Sequence, residues 1–240
     1  MYTSIDSGAF VTTTPHPLAD LMRESSKADH EDAENSSFIA DLMSGGLSLD
    51  HYCALLAQYA HLYTALESSA AILRSQQRFT QLLDPRLDRS ALILADLDLL
   101  GGTPAEQSPA IVKYVSRIHQ VTAEAPHRYL AHHYVRYLGD LSGGQILARK
   151  MQQNYGAGAA ALSAWDFSAL GKLKPYKDQY RESLNQLRLN PQHTAELLDE
   201  VRLAFGFNKA LFHELAEGTV STPESTAKRA APVLAEVDVA

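Results

Sequence analysis

Between residues 49 and 76, Tyr52, Leu55, Leu56, Tyr59, Leu62, Tyr63 and Leu66 recur at steps of three and four, the spacing of one face of an α-helix. Almost every other periodic stretch has the same spacing, and the β-branched alternation that marks strands is hard to find. These patterns predict an all-α, single-domain multihelical fold. Ser48 caps the helix that follows it, and Gly45 and Gly46 close the one before. Pro17 opens a helix to about residue 34, Ser108-Pro109 one to about residue 123, and Asn190-Pro191 the last. Others are expected near 90–100, ending at Gly101-Gly102, through a glycine-containing segment ending near Gly156, and over roughly 170–189. The helical domain is expected over 15–218, between small, polar and flexible segments at 1–14 and 219–240.

Composition narrows the function. Hydrophobic residues at 45% and charged residues at 20% are the balance of a folded globular chain. Acidic residues outnumber basic ones 28 to 21, so no broad positive field exists to hold nucleic-acid phosphates, and any bound anion needs a local cluster of Arg and Lys. Cys53 is the only cysteine, which excludes an intramolecular disulfide and a multi-thiolate metal site and suits a reducing cytosol. The N-terminus has neither a basic start nor an apolar run, and no stretch reaches the roughly 18 apolar residues of a membrane span. The reading is a cytoplasmic protein with no membrane anchor.

Within YLGDLSGGQ, Gly139, Gly143 and Gly144 interrupt a helical pattern, each at a cost of roughly 1 kcal/mol relative to alanine. At about 100° per residue, Arg136, Gly139, Asp140 and Gly143 share one face. Bare Gly-x-x-x-Gly spacing most often serves close helix packing. A carboxylate set between the glycines, and Gly144 loosening the helix beside Gly143, favour instead a flat surface at a polar, water-lined site.

The run HHYVRYLGDLSGGQ, starting at His132, resembles the signature of the haem oxygenase family, of the soluble bacterial type, over roughly residues 16–215 of the chain. The resemblance implies haem sandwiched between proximal and distal helices. The backbone of Gly139 and Gly143 then lies against the porphyrin, Asp140 orders water that hydrogen-bonds to dioxygen, and Tyr63 and Arg136 belong to the distal polar network.

Such a protein needs a histidine facing the glycines. One histidine among ten is weak information, but His30 stands seven residues after Arg23 and four before Glu34, so one helix opened by Pro17 aligns a cation, a ligand and a carboxylate. A carboxylate near a ligating imidazole accepts its second N–H and fixes the tautomer. The family pattern places its proximal histidine and a following glutamate in the same way, which implies His30 as iron ligand with Glu34 beside it. His132 and His133, two turns before Gly139, are read as structural, and the remaining histidines receive no role.

Lys177 and Arg181 lie one helical turn apart. Ordinarily such a pair is a solvated face; the resemblance implies instead that Arg23, Tyr134, Lys177 and Arg181 bind the haem propionates. Arg23 stands where many relatives have lysine, and its guanidinium can hold a carboxylate through two parallel hydrogen bonds. Phe205, Asn208 and Phe212 share a stripe of the last helix, and the resemblance implies that they line the haem pocket.

The implied reaction is oxidative cleavage of haem, at the α-meso carbon by family analogy, to biliverdin, carbon monoxide and ferrous iron. Haem is cofactor and substrate together. Dioxygen and an external electron donor such as ferredoxin or a flavoprotein reductase complete the reaction. Three alternatives compete. A non-catalytic haem-binding or haem-transfer protein could use the same scaffold. A di-iron bundle needs two Glu-x-x-His pairs, and the only such string is Glu124-Ala-Pro-His127, with Pro126 interrupting its helix. A thiamine-degrading relative needs a nucleophilic cysteine, whereas Cys53 sits in an apolar helix.

Overall fold

In a computed structural model, residues 16–156 and 159–218 are described, and no strand occurs among them. The helices are α1 (Leu18–Ser25), α2 (Lys27–Glu34), α3 (Ser37–Ser44), α4 (Leu49–Ser75), α5 (Ser90–Leu99), α6 (Pro109–Glu124), α7 (Pro126–His133), α8 (Gln145–Tyr155), α9 (Leu173–Asn185) and α10 (Pro191–Ala216). The segments expected to be flexible, 1–14 and 219–240, lie outside the described residues. No helix among the described residues is long and apolar enough to cross a membrane.

Helix α4 is the centre because its apolar residues are not confined to one stripe: Leu55, Leu56, Leu62 and Leu66 are fully buried, together with Tyr52 and Ala57. Helices α5, α6, α7 and α10 pack around it, and α10 in turn supports α1, α2 and α3. Local chemistry sets the ends as expected. Ser108 accepts a hydrogen bond from Ile111 N at 3.3 Å, and Asn190 accepts one from His193 N at 2.7 Å. Gly45 at φ +86° stops α3 in the left-handed conformation, which glycine adopts without a Cβ clash.

Two expected helices come out differently. The helix opened by Pro17 breaks at Ser26. The hydroxyl of Ser26 donates to Met22 O at 2.8 Å and that of Ser25 to the same carbonyl at 3.2 Å, so side chains take the acceptor that an unbroken helix would give to the Ser26 N–H. That N–H turns to Glu24 O instead. The helix expected over 170–189 is the shorter α9, preceded by a 3₁₀ turn (Ser168–Leu170) and by Gly171 at φ +73°.

Between α7 and α8 the chain stays helical but widens into two π-helical turns, Tyr134–Leu138 and Asp140–Gly144, with Gly139 between them at φ −61° and ψ −50°. A neighbouring turn packs against this π segment. Asp96 of α5, fully buried, accepts hydrogen bonds from Ser163 N at 3.0 Å, Ser163 Oγ at 2.6 Å and Ala164 N at 2.8 Å. It thereby positions Trp165, whose Nε1 donates to Tyr52 OH at 2.7 Å.

Asp96→Ala leaves the N–H groups of Ser163 and Ala164 without their acceptor. At about 1–3 kcal/mol for each of the two unsatisfied groups, the expected loss of stability is about 2–6 kcal/mol. Urea unfolding followed by the fluorescence of Trp165, the single tryptophan, measures it; an unchanged midpoint would mean that other contacts hold the turn.

Candidate functional site

The π segment divides its residues sharply. Val135, Arg136, Tyr137, Leu138, Asp140 and Leu141 are buried, whereas Gly139 and Gly143 are exposed. A Cβ added at either exposed glycine meets no atom within 4 Å, but one added at Gly144 would lie 2.8 Å from Trp165 Cε3. The three glycines therefore serve two purposes. Gly144, expected to loosen the helix, is a packing glycine that admits the indole; Gly139 and Gly143 present bare backbone. The π turns also correct the expected common face, because each residue rotates through less than the 100° of an α-helix. Arg136 and Asp140 are buried behind the glycines instead of flanking them.

There they join a hydrogen-bonded network. Arg136 Nη2 donates to Tyr63 OH at 2.8 Å and to Asp140 Oδ1 at 3.2 Å, and its Nη1 donates to Asn208 Oδ1 at 2.9 Å and to Tyr59 OH at 3.3 Å. Tyr63 OH closes the circuit with a short hydrogen bond to Asp140 Oδ2. Asn208 is itself fixed through Nδ2 to Ala204 O at 2.8 Å. Helices α4 and α10 and the π segment thus meet at one guanidinium, which also lies 4.4 Å from the Tyr59 ring centroid. Burial pushes the Asp140 carboxyl above its ordinary value, while Arg136 and the Tyr63 hydroxyl pull it down. Burial likewise keeps Tyr59 and Tyr63 neutral by raising both phenols. A buried carboxyl of this kind, held in a chain of donors, can store and pass a proton. Tyr59 was not among the expected network residues, because its place in the apolar stripe marked it as core; its position one turn before Tyr63 is the signal that identifies it.

On α2, His30 is exposed, with its ring edge on Phe205 of α10 at a centroid distance of 5.8 Å. Asp29 and Asp32, on either side of it, both pair with Lys209 of α10, at 3.2 and 3.4 Å. The side chain of Glu34 lies outside the described residues. Because of the break at Ser26, Arg23 belongs to α1 and His30 to α2, so the single aligned helix expected for Arg23, His30 and Glu34 does not form. Phe212 is buried and stacks on Phe38 of α3 at 6.3 Å.

The expected basic residues lie on α1 and α9, two helices that pack against each other. Arg23 pairs with Asp20 at 3.2 Å and Arg181 with Asp178 at 3.1 Å, while Lys177 Nζ donates to Ser142 Oγ of the π segment at 3.2 Å. Burial raises the phenol of Tyr134, and the charges of Arg181 and Arg23 both act to lower it. Bare glycine backbone, an exposed imidazole and this cationic edge fit a flat, anionic macrocycle; a Cβ at Gly139 or Gly143 would fill the surface offered to it.

His132, His133 and Cys53 lie elsewhere in the core. His132 Nε2 is 3.0 Å from Glu200 Oε1; against the upward push of burial, Arg117 and His132 hold Glu200 down to about 2. His133, pushed down to about 3 by burial, has its Nδ1 2.8 Å from Tyr180 OH. Cys53 is buried, and burial pushes its thiol up to about 11.

Residues 16–214 match the family described as "Heme oxygenase". The chain is 32% identical over 202 residues to heme oxygenase 1 of Synechocystis sp., with 82% of this chain and 84% of that protein covered. It is 31% identical over 210 residues to human heme oxygenase 1, covering 85% and 73%. Among solved structures, the Synechocystis heme oxygenase-1 complex with heme superimposes with a TM-score of 0.77 at 33% identity, covering 85% of this chain and 94% of that one. The heme oxygenase of Leptospira interrogans gives 0.78 at 30% identity, covering 82% and 99%.

The division among the glycines is open to a direct test. Gly144→Ala forces its methyl against the Trp165 ring and is expected to destabilise the fold by about 1–3 kcal/mol. Gly139→Ala and Gly143→Ala, with open space at Cβ, are expected to leave stability unchanged or raise it by up to about 1 kcal/mol. Thermal unfolding of the three variants measures the contrast, and equal losses in all three would refute it.

Proposed function

The chain belongs to the haem oxygenase family, enzymes that bind haem as substrate and cofactor and degrade it, and on that premise we propose how its residues divide the work. Haem, when bound, supplies the redox-active iron and the ring that is oxidised. His30 holds the iron as a neutral imidazole. Glu34, four residues on, accepts the second ring N–H and fixes the tautomer. Arg23, Tyr134, Lys177 and Arg181 hold the propionates, Phe205 and Phe212 line the pocket, and Gly139 and Gly143 lie against the ring face.

The single observation that carries the reading is the exposed backbone of Gly139 and Gly143 immediately in front of the buried Arg136, Asp140 and Tyr63. Asp140 orders the water that passes a proton to the reacting oxygen. Tyr63 and Arg136 fix that carboxyl, and Asn208 fixes Arg136. The cationic edge sets the rotation of the ring and directs cleavage to the α-meso carbon, giving biliverdin, carbon monoxide and ferrous iron. The electrons come from a ferredoxin or a flavoprotein reductase.

Purified protein mixed with haem, dioxygen and a reductant is expected to lose its Soret band as biliverdin appears; an unchanged spectrum would support a non-catalytic haem carrier. Asp140→Ala would strand a buried guanidinium at a cost of about 3–5 kcal/mol, so Asp140→Asn is the informative variant. It is expected to bind haem with the wild-type spectrum while biliverdin formation falls about 100-fold or more. His30→Ala is expected to lose the histidine-ligated spectrum. Wild-type turnover by Asp140→Asn would remove Asp140 from the mechanism.

A further inference from the structure

Pro126 prevents the Glu124-Ala-Pro-His127 string from presenting both side chains on one helix, since α6 ends at Glu124 and α7 begins at Pro126. His127 finds a different carboxylate. Its Nε2 lies 2.8 Å from Oε2 of Glu196, in the second turn of α10. His193, one turn before Glu196 on the same helix, stacks its ring on that of His127 with centroids 4.2 Å apart and an interplanar angle of 21°. A candidate donor atom from each of the three side chains lies within 4.8 Å of the other two.

A hydrogen bond between His127 and Glu196 is enough to tie α7 to α10 and needs no second imidazole. Neither ring nitrogen of His193 is hydrogen-bonded to a described residue. Both histidines border a cavity of about 330 Å³, shared with Phe79, Glu124 and Leu189. The remaining oxygen of Glu196 is held by Gln192 Nε2 at 2.9 Å, an outer partner that orients the carboxylate.

We propose that His127, His193 and Glu196 form a binding site for a divalent cation of the zinc class, with a fourth position open toward the cavity. Two imidazoles and one carboxylate are an established donor set for Zn²⁺, and nitrogen donors favour Zn²⁺, Ni²⁺ or Cu²⁺ over Mg²⁺ and Ca²⁺. Bonds of about 2.0–2.1 Å place tetrahedral donors roughly 3.3 Å apart, so the His127–Glu196 pair opens slightly and the His193 ring swings inward. The metal takes the place of the proton shared by Nε2 and Oε2, and the His127 ring keeps its proton on Nδ1. The site lies about twelve residues, roughly 18 Å along the helix, from the glycine surface. Occupied, it clamps the helix that leads into the π segment to the helix that carries Phe205 and Asn208.

The test is a titration of the chelator-treated full chain with zinc chloride, followed by calorimetry and by the thermal midpoint. One zinc per chain and a raised midpoint are expected. His193→Ala and Glu196→Gln, at side chains that are not buried, are each expected to weaken binding by about 10- to 100-fold or more and to abolish the thermal shift. His213→Ala, at an exposed pair on the same helix whose ring faces Glu217 at 3.6 Å, is expected to change neither. Absence of stoichiometric zinc, or zinc binding that survives both His193→Ala and Glu196→Gln, overturns the proposal.

Discussion

The wall of the pocket depends on a guanidinium shut away from water. Arg136 is buried, and a charge in that position is tolerable only when its donors are matched by fixed acceptors. Tyr63, Asp140, Asn208 and Tyr59 supply them from three elements distant in sequence. Because the ion pair with Asp140 is drawn inward, the glycines between and beyond the pair are turned outward, and the flat exposed backbone follows from the buried charge on its other side. The π turns make room for this by widening the helix where both demands coincide.

Much of the frame was legible in the sequence, because it rests on local rules. The stripe from Tyr52 to Leu66, the caps at Ser108 and Asn190 and the stop at Gly45 each depend on residues a few positions apart, and each appears where the spacing placed it. What escaped depends on a rival bond or a distant neighbour. Nothing in the Pro17 helix pattern announces that the Ser26 hydroxyl will claim the Met22 carbonyl. A rotation of 100° per residue cannot anticipate a π turn, so Arg136 and Asp140 were placed beside the glycines instead of behind them. Gly143 and Gly144 are adjacent and chemically identical, yet one is bare surface and the other packing, and the difference is an indole 21 residues further along the chain.

The pocket residues show the same contrast. Lys177 and Arg181 could be paired by helical spacing, but the packing of α9 on α1 and the bond from Lys177 to Ser142 of the π segment join residues far apart in the chain. His30 stands out in the sequence through its neighbours Arg23 and Glu34, whereas its contact with Phe205 joins residues far apart in the chain. Pro126 already separates His127 from Glu124 in the sequence, but its partner Glu196 lies 69 residues away and only the fold brings it near.

The two sides of the proposed haem pocket are fastened by forces of different range. The glycine side is bound through Arg136 and Asp140, whose side chains are 9% and 5% exposed, out of reach of mobile ions. The His30 side is fastened partly through Lys209, whose partners Asp29 and Asp32 are 27% and 67% exposed; at physiological salt such charges are screened over about 8 Å. Added salt therefore leaves the tie behind one jaw untouched and loosens the tie behind the other.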